Sequence, residues 1–160
     1  MDLVNKSKYN IILGSGSSRR KELLGMTGIN FSVMSIPVDE SFPDSLQGTE
    51  ISEYIVKNKS DAFNKLIKEN EIIITADTLV WFENKCLGKP KDKKEAKYML
   101  KLFAGKSHDV ITSVGFLTTS NFKVLTESTT VIYKSLTDSE IEYYVAVSYT
   151  HLTLPTTPYV

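Results

Sequence analysis

Short apolar runs alternate along this chain with segments whose apolar residues recur at helical spacing. Residues 9–13 form a short β-type run that ends in Gly-Ser-Gly-Ser-Ser, and residues 19–26 then carry helix formers with Leu23 and Leu24 on one face. Residues 30–36 read as a second strand, and residues 37–48 as an irregular loop holding Asp39, Glu40, Pro43 and Asp44. From 49 to 70 the residues Ile51, Tyr54, Ile55, Phe63, Leu66 and Ile67 predict a long helix, with Thr49 as its N-cap and Glu50 in its first turn. Residues 72–82 are the most apolar stretch and rich in β-branched side chains, so they predict a buried strand, or two segments broken near Ala76-Asp77-Thr78. A turn at 83–85 follows. Asp92 and Glu95 match an N-cap and its N3 partner ahead of a helix over 93–103, closed by Gly105. Residues 110–118 and 122–133 alternate as two strands around the turn 119–121, and Thr137 with Glu140 forms a second capping box opening a last helix. The order β-α-β-α-β-(β)-α-β-β-α, with crossovers and a hairpin, implies an α/β domain built on a mixed sheet.

Composition narrows the picture. The chain has 160 residues, 41% of them apolar and 24% charged, with 19 Lys+Arg against 19 Asp+Glu. That is the make-up of one soluble globular domain, able to bury roughly 70% of its unfolded surface. Zero net charge disfavours nonspecific binding to nucleic acid or an anionic membrane, while leaving room for a local basic pocket. The lone Cys86 cannot pair within the chain and reads as a small core residue, which fits a reducing cytoplasm. No apolar run approaches the roughly 18 residues of a membrane span, and the start lacks the apolar core of a signal peptide. A cytoplasmic protein is therefore expected. Residues 143–160 contain no Lys, Arg, Asp or Glu, and the string from Val147 to Thr157 closely resembles the translation of a transposase-type sequencing-library adapter. The expected organisation is a partial domain over 1–146 followed by a non-native tail over 147–160, in which His151 carries no functional weight.

Chemistry concentrates in a few places. A strand running into Gly14-Ser15-Gly16-Ser17-Ser18 and then a helix presents free backbone N–H groups and the positive end of the helix dipole, which together suit an anion. Arg19, Arg20 and Lys21 follow at once, and guanidinium groups grip phosphate oxygens bidentately. A capped turn with solvated basic residues fits the same spacing, which matches neither a P-loop nor a dinucleotide fingerprint. Asp77 lies inside an apolar strand, where a carboxylate is costly unless it is hydrogen-bonded, bound to metal or held for acid–base work; a turn aspartate is the plainer alternative. Asp39 and Glu40 offer hard oxygen ligands for Mg²⁺ or Mn²⁺, or are simply solvated. Lys59 and Lys89 could neutralise a polyphosphate or be surface lysines. His108 and Asp109 are strand neighbours that point to opposite faces, so they form no catalytic pair. No zinc-ligand spacing or serine–histidine–acid triad is present.

Taken in order, these segments resemble the Maf family of nucleoside-triphosphate pyrophosphatases. Residues 12–24 look like the family's I-L-A-S-x-S-P-R-R-x-E-L-L opening, departing at Gly14 and Ser18. Val38-Asp39-Glu40 is similar to its acidic loop, and Ile55 to Ser60 to L-A-x-x-K-A. Ala76-Asp77-Thr78 matches A-D-T, Leu87-Gly88-Lys89-Pro90 matches L-G-K-P, and Ser107 to Thr112 resembles S-x-H-x-V-x-T. The resemblance covers about residues 10 to 145. It implies an elongated mixed sheet flanked by helices, in the Maf/ITPase-like manner, and hydrolysis of dTTP and UTP to the monophosphate and pyrophosphate. Asp77 would be the proton acceptor and Glu40 a metal ligand. Ser15, Gly16, Ser17, Arg19, Arg20, Lys59, Thr78 and Lys89 would bind substrate, with Arg19 and Thr78 linked to pyrimidine selection. A divalent cation is the implied cofactor and a homodimer the implied assembly of the intact protein, with neither nucleic acid nor membrane as partner. The family's G-E-P-x-D-K-A-G-A-Y-G-I-Q-G continuation is absent, which leaves an unpaired sheet edge. A nucleotide-binding regulator of cell division without turnover, or an inactive fragment, is the rival expectation.

Overall fold

A computed structural model describes residues 8–148, so His151 and the adapter-like string beyond Ser148 lie outside the described residues. Its elements are β1 (Asn10–Leu13), α1 (Ser18–Gly25), β2 (Phe31–Val33), α2 (Thr49–Asp61), β3 (Glu71–Phe82), β4 (Lys85–Leu87), α3 (Lys93–Phe103), β5 (Ser107–Leu117), β6 (Phe122–Ile132) and α4 (Asp138–Ser148). This is the order the hydrophobic pattern predicts. The strands hydrogen-bond as β2-β1-β3-β5-β6, with β4 added to β3. β1 runs parallel to β2 and to β3, whereas β4 pairs antiparallel with β3, which makes the sheet mixed. Among the described residues no helix is long and apolar enough to cross a membrane.

The described chain divides into two compact units. One takes in residues 8–78 and 112–127, the other 79–111 and 128–148. β3, β5 and β6 contribute residues to both. In the first unit Ile12, Phe63, Ile73 and Leu117 form a buried cluster, flanked by Ile36, Ile67 and Phe122. The parallel register Leu13↔Ile74 explains the apolar run at this point: both flanking strands and the helix side of β3 exclude water, so Thr75, Ala76 and Asp77 are buried in succession. In the second unit Val80, Phe82, Met99 and Phe103 form one cluster, and Ala96, Leu100, Ile141 and Val145 of α3 and α4 form another.

Both predicted helix starts hold, the second as a full capping box and the first with Glu95 reaching one residue past the N-cap. Asp92 Oδ1 accepts the Glu95 N–H at 2.8 Å while Glu95 Oε2 accepts the Lys91 N–H at 2.5 Å. Thr137 and Glu140 bond reciprocally, at 2.8 Å from the Thr137 N–H to Oε2 and 3.3 Å from the Glu140 N–H to Oγ1. These bonds from the Thr137 backbone and hydroxyl, with Lys134, hold the Glu140 carboxyl down at about 2.

Of the two forms expected for it, β3 takes the first, one unbroken strand of 12 residues. Other expectations need correction. The second strand is only Phe31–Val33, and the Met34 N–H makes a last bond to the Leu13 carbonyl at 3.0 Å before the loop. α2 ends at Asp61 rather than 70. Beyond it, turns closed by Phe63 N–H to Ser60 C=O (2.9 Å) and Leu66 N–H to Phe63 C=O (2.8 Å) keep Phe63 and Ile67 facing the core, so the apolar spacing imitates a longer helix. Thr49 is not the N-cap. Gly48 is, at φ +52°, and Glu50 reaches back to accept the Gln47 N–H at 3.0 Å. α1 buries none of its residues, Leu23 and Leu24 included.

Candidate active site

The first unit gathers most of the expected site at the C-terminal end of β1 and along the middle of β3, just past the paired residues Leu13 and Ile74. The Gly14 N–H bonds the Ile74 carbonyl at 2.8 Å, which carries the Gly/Ser loop away from β1 alongside the stretch of β3 that bears Asp77. A Cβ at Gly14 would lie 3.0 Å from the Phe63 ring and 3.0 Å from the Thr75 methyl, so glycine stands here because its neighbours leave little room. Ser17 caps α1, its Oγ accepting the Arg20 N–H at 3.4 Å, and Ser18 takes the first helical position, where proline is also favoured. Buried Ser15 accepts from the Ser17 N–H (3.3 Å) and from the Arg20 guanidinium (3.4 Å), so Arg20 folds back over the loop. Arg19 is half exposed and pairs with Glu22 at 3.3 Å. Gly16 is exposed beside Ser35 of the loop that follows β2. That loop also carries Glu40.

The centre of the site is an ammonium between two carboxylates. Lys59 Nζ donates to Asp77 Oδ1 at 2.7 Å, pairs with Glu40 Oε1 at 2.8 Å, and lies 3.5 Å from the Ala76 carbonyl. The Lys59 and Asp77 side chains are 13% and 12% exposed, against 60% for Glu40, so the inner pair is largely shielded and the outer carboxylate is wet. Burying such a pair gains little stability, because desolvation offsets most of the Coulomb attraction. It does set the orientation of Asp77. Lys59 engages Oδ1, which leaves Oδ2 to accept a bond or a proton from a reactant. Asp39 stays outside this cluster. Its carboxylate accepts the Ser41 N–H at 2.9 Å and the Ser41 hydroxyl at 2.7 Å, and the backbone bond foremost holds its pKa below the ordinary carboxylate value.

Thr78 is half-buried, and its hydroxyl meets that of Thr112 at 3.1 Å. Lys89 belongs to the second unit, where it is exposed in the loop between β4 and α3. His108 is structural, as expected: it is buried against Phe103 and Tyr133, with ring centroids 4.4 and 5.4 Å away. Burial pushes its pKa down. Cys86 is half-buried on β4.

Sequence reasoning passed over a set of hydroxyls. Ser60 Oγ and Thr75 Oγ1 lie 2.6 Å apart, and Ser52, Ser113, Thr126 and Glu53 form a second chain at 2.7, 2.8 and 2.8 Å. Ser52, Ser60, Thr75 and Ser113 are fully buried. The strand period offered a signal for one of them, since Thr75 shares a face of β3 with Asp77.

Known proteins resemble this chain in sequence and in fold. A family profile described as Maf-like protein matches residues 10–152. The dTTP/UTP pyrophosphatase of Bacteroides thetaiotaomicron is 46% identical over 144 residues, covering 89% of this chain and 75% of that protein. The dTTP/UTP pyrophosphatase of Flavobacterium johnsoniae is 42% identical over 138 residues, covering 86% and 71%. Among solved structures, the Staphylococcus aureus Ham1 protein superposes with a TM-score of 0.55 at 12% identity, over 76% of this chain and 70% of that one, a likeness of fold.

Proposed function

This chain belongs to the Maf family, and from that premise we propose that it hydrolyses nucleoside triphosphates, dTTP and UTP among them, to the monophosphate and pyrophosphate. One observation carries the reading. A shielded Lys59–Asp77 pair stands midway along β3, in the same unit as a Gly/Ser loop that opens a helix bearing two arginines.

The triphosphate is the most highly charged part of such a substrate, and the site answers it in kind. The Ser15, Gly16 and Ser17 backbone, the N-terminus of α1, and the Arg19, Arg20 and Lys59 cations hold phosphate oxygens. Phosphoryl transfer rests chiefly on such positioning and charge stabilisation. Asp77 accepts a proton from water as that water's oxygen bonds to the α-phosphorus. The bond from the α-phosphorus to the bridging oxygen breaks, and pyrophosphate leaves with the electron pair. Thr78, steadied by Thr112, and Arg19 select the pyrimidine.

The donor set fits a divalent cation carried with the substrate. Glu40 and Asp77 already converge on one ammonium, and Mg²⁺ commonly takes one or two carboxylates together with phosphate oxygens. Among the described residues there is no cluster of three His, Cys, Asp or Glu that would form a closed protein cage. Bound there, Mg²⁺ or Mn²⁺ would neutralise charge on the phosphate oxygens.

Incubation with Mg²⁺ and dTTP or UTP tests the reading. Pyrophosphate should be the first product, and Asp77→Asn should lower kcat by about 10²-fold or more. Orthophosphate as the first product, or an undiminished variant, would overturn it.

A further inference from the structure

The contact between Lys59 and Asp77 has a twin one residue along α2 and two along β3. Lys59 and Ser60 are consecutive on the helix, Thr75 and Asp77 share a strand face, and the two rungs measure 2.7 and 2.6 Å. Thr75 Oγ1 also donates to the Val56 carbonyl one helical turn back, at 3.4 Å, so Ser60 donates to Thr75. Both members of the second rung are fully buried. Thr75 is fixed on either side by glycines. Its methyl lies 3.0 Å from where a Cβ on Gly14 would sit, and its hydroxyl 2.9 Å from where one on Gly115 would sit. Two of the chain's departures from the motifs it resembles, Gly14 and Ser60, thus converge on a single side chain.

We propose that Ser60 and Thr75 form a hydroxyl lock that holds α2 in register with β3 and so keeps Lys59 on Asp77, which makes both of them positioning residues. The inference rests on the function proposed above for the meaning of Asp77, but the lock itself is a statement about geometry. Ile51, Ile55 and Val56 add apolar burial, which is non-directional, and the other directional bonds of α2 to the sheet, Ser52 to Ser113 at 2.7 Å and Thr126 to Glu53 at 2.8 Å, lie near its N-terminus, about two turns from Lys59, so the Ser60–Thr75 rung is the directional contact beside Lys59. A lysine side chain has four carbons of flexible reach, so a fixed helix register is what keeps its ammonium on one carboxylate oxygen.

The test uses the full chain and the variants Thr75→Val, Ser60→Ala, the double variant, and Thr75→Ser, with three readouts. Urea unfolding gives stability. Proton exchange of the Lys59 ammonium, observed on ¹⁵N-lysine protein and assigned by its loss in Lys59→Met, gives the geometry of the pair. Steady-state pyrophosphate release gives kcat and KM. Each single removal leaves a buried hydroxyl without its partner, so both single variants should lose stability, and the double variant should lose less than the sum of the two. Stability and site should then part company. In the double variant Lys59 exchange should be fast and kcat should stay about tenfold low with KM within about twofold, because misplacement rather than unfolding is the defect. Thr75→Ser should keep slow exchange and near-parental kcat. Slow exchange and full kcat in the double variant, or fast exchange in Thr75→Ser, would overturn the lock. If the parent releases no pyrophosphate, the proposed function fails and the exchange measurements alone decide the lock.

Discussion

Adding one methyl group to Gly115 and to Gly25 should change stability in opposite directions. A Cβ built on Gly115 meets Val56 Cγ1 at 2.6 Å, Phe122 Cε2 at 2.8 Å and Thr75 Oγ1 at 2.9 Å. Non-bonded carbons rest at about 3.5–4.0 Å, so Val56 and Phe122 would each have to yield by more than half an ångström, and the Thr75 oxygen must shift as well. Val56 and Thr75 are fully buried and cannot swing into solvent. Overpacking of this kind costs about 1–3 kcal/mol, while alanine's stiffer unfolded chain returns about 0.4–1 kcal/mol. The net loss for Gly115→Ala then centres on about 1.3 kcal/mol, and at about 2–4 °C per kcal/mol for a chain of this size Tm should fall by about 3–5 °C. Gly25, the last residue of α1, has nothing within 4 Å of its Cβ position. There the chain-entropy and helix-propensity gains act alone, and Gly25→Ala should raise Tm by about 1–4 °C. Circular dichroism melts of both variants beside the parent measure the two shifts. A Gly115→Ala protein at least as stable as the parent would refute the packing reasoning, and equal shifts in the two variants would show that backbone entropy alone governs.

Three further outcomes follow from caps and titrations. Asp92→Ala removes the side-chain cap of α3 and should cost about 1 kcal/mol, read in the same melts. His108 is held below its ordinary 6.5 chiefly by burial, so the unfolded chain takes up that proton first; the stability it contributes is present above about pH 6.5 and is lost as pH falls below. Urea unfolding at pH 7.5 and 5.5 should therefore show a steeper loss in the parent than in His108→Phe, and parallel losses would count against the burial argument. Glu140, held at about 2 against an ordinary 4.5, contributes stability that is present above 4.5 and lost as pH falls toward 2, so Glu140→Gln should flatten the acid limb of the stability profile.

The elements were legible because local chemistry and tertiary packing agree in this chain. Asp92 with Glu95 and Thr137 with Glu140 announce helix starts that the structure keeps, and the 12-residue β3 is apolar because the chain buries it on both faces. Errors arose where packing imitates another periodicity. Phe63 and Ile67 face the core from successive turns and so extend the helical pattern past Asp61, and Gly48 caps α2 through its backbone while Glu50 supplies the side chain. In the site, the spacing of Gly14 to Arg20 and the oddity of Asp77 inside an apolar strand singled out residues that the fold holds in one unit. The Lys59 bridge could not be read from spacing, since it joins residues 18 positions apart. The Ser60–Thr75 pair was hidden for a similar reason: serine and threonine carry no sign of burial until the opposing glycines are seen beside them.

The central claim is that water attacks the α-phosphorus with Asp77 taking its proton. Hydrolysis of dTTP or UTP in H₂¹⁸O with Mg²⁺, followed by mass spectrometry of both products, tests it most directly. The account predicts one ¹⁸O in the nucleoside monophosphate, none in the pyrophosphate, and loss of this turnover in Asp77→Asn. Label in the pyrophosphate, which would mean attack at the β-phosphorus, or an Asp77→Asn protein that turns over at the parental rate, would contradict it.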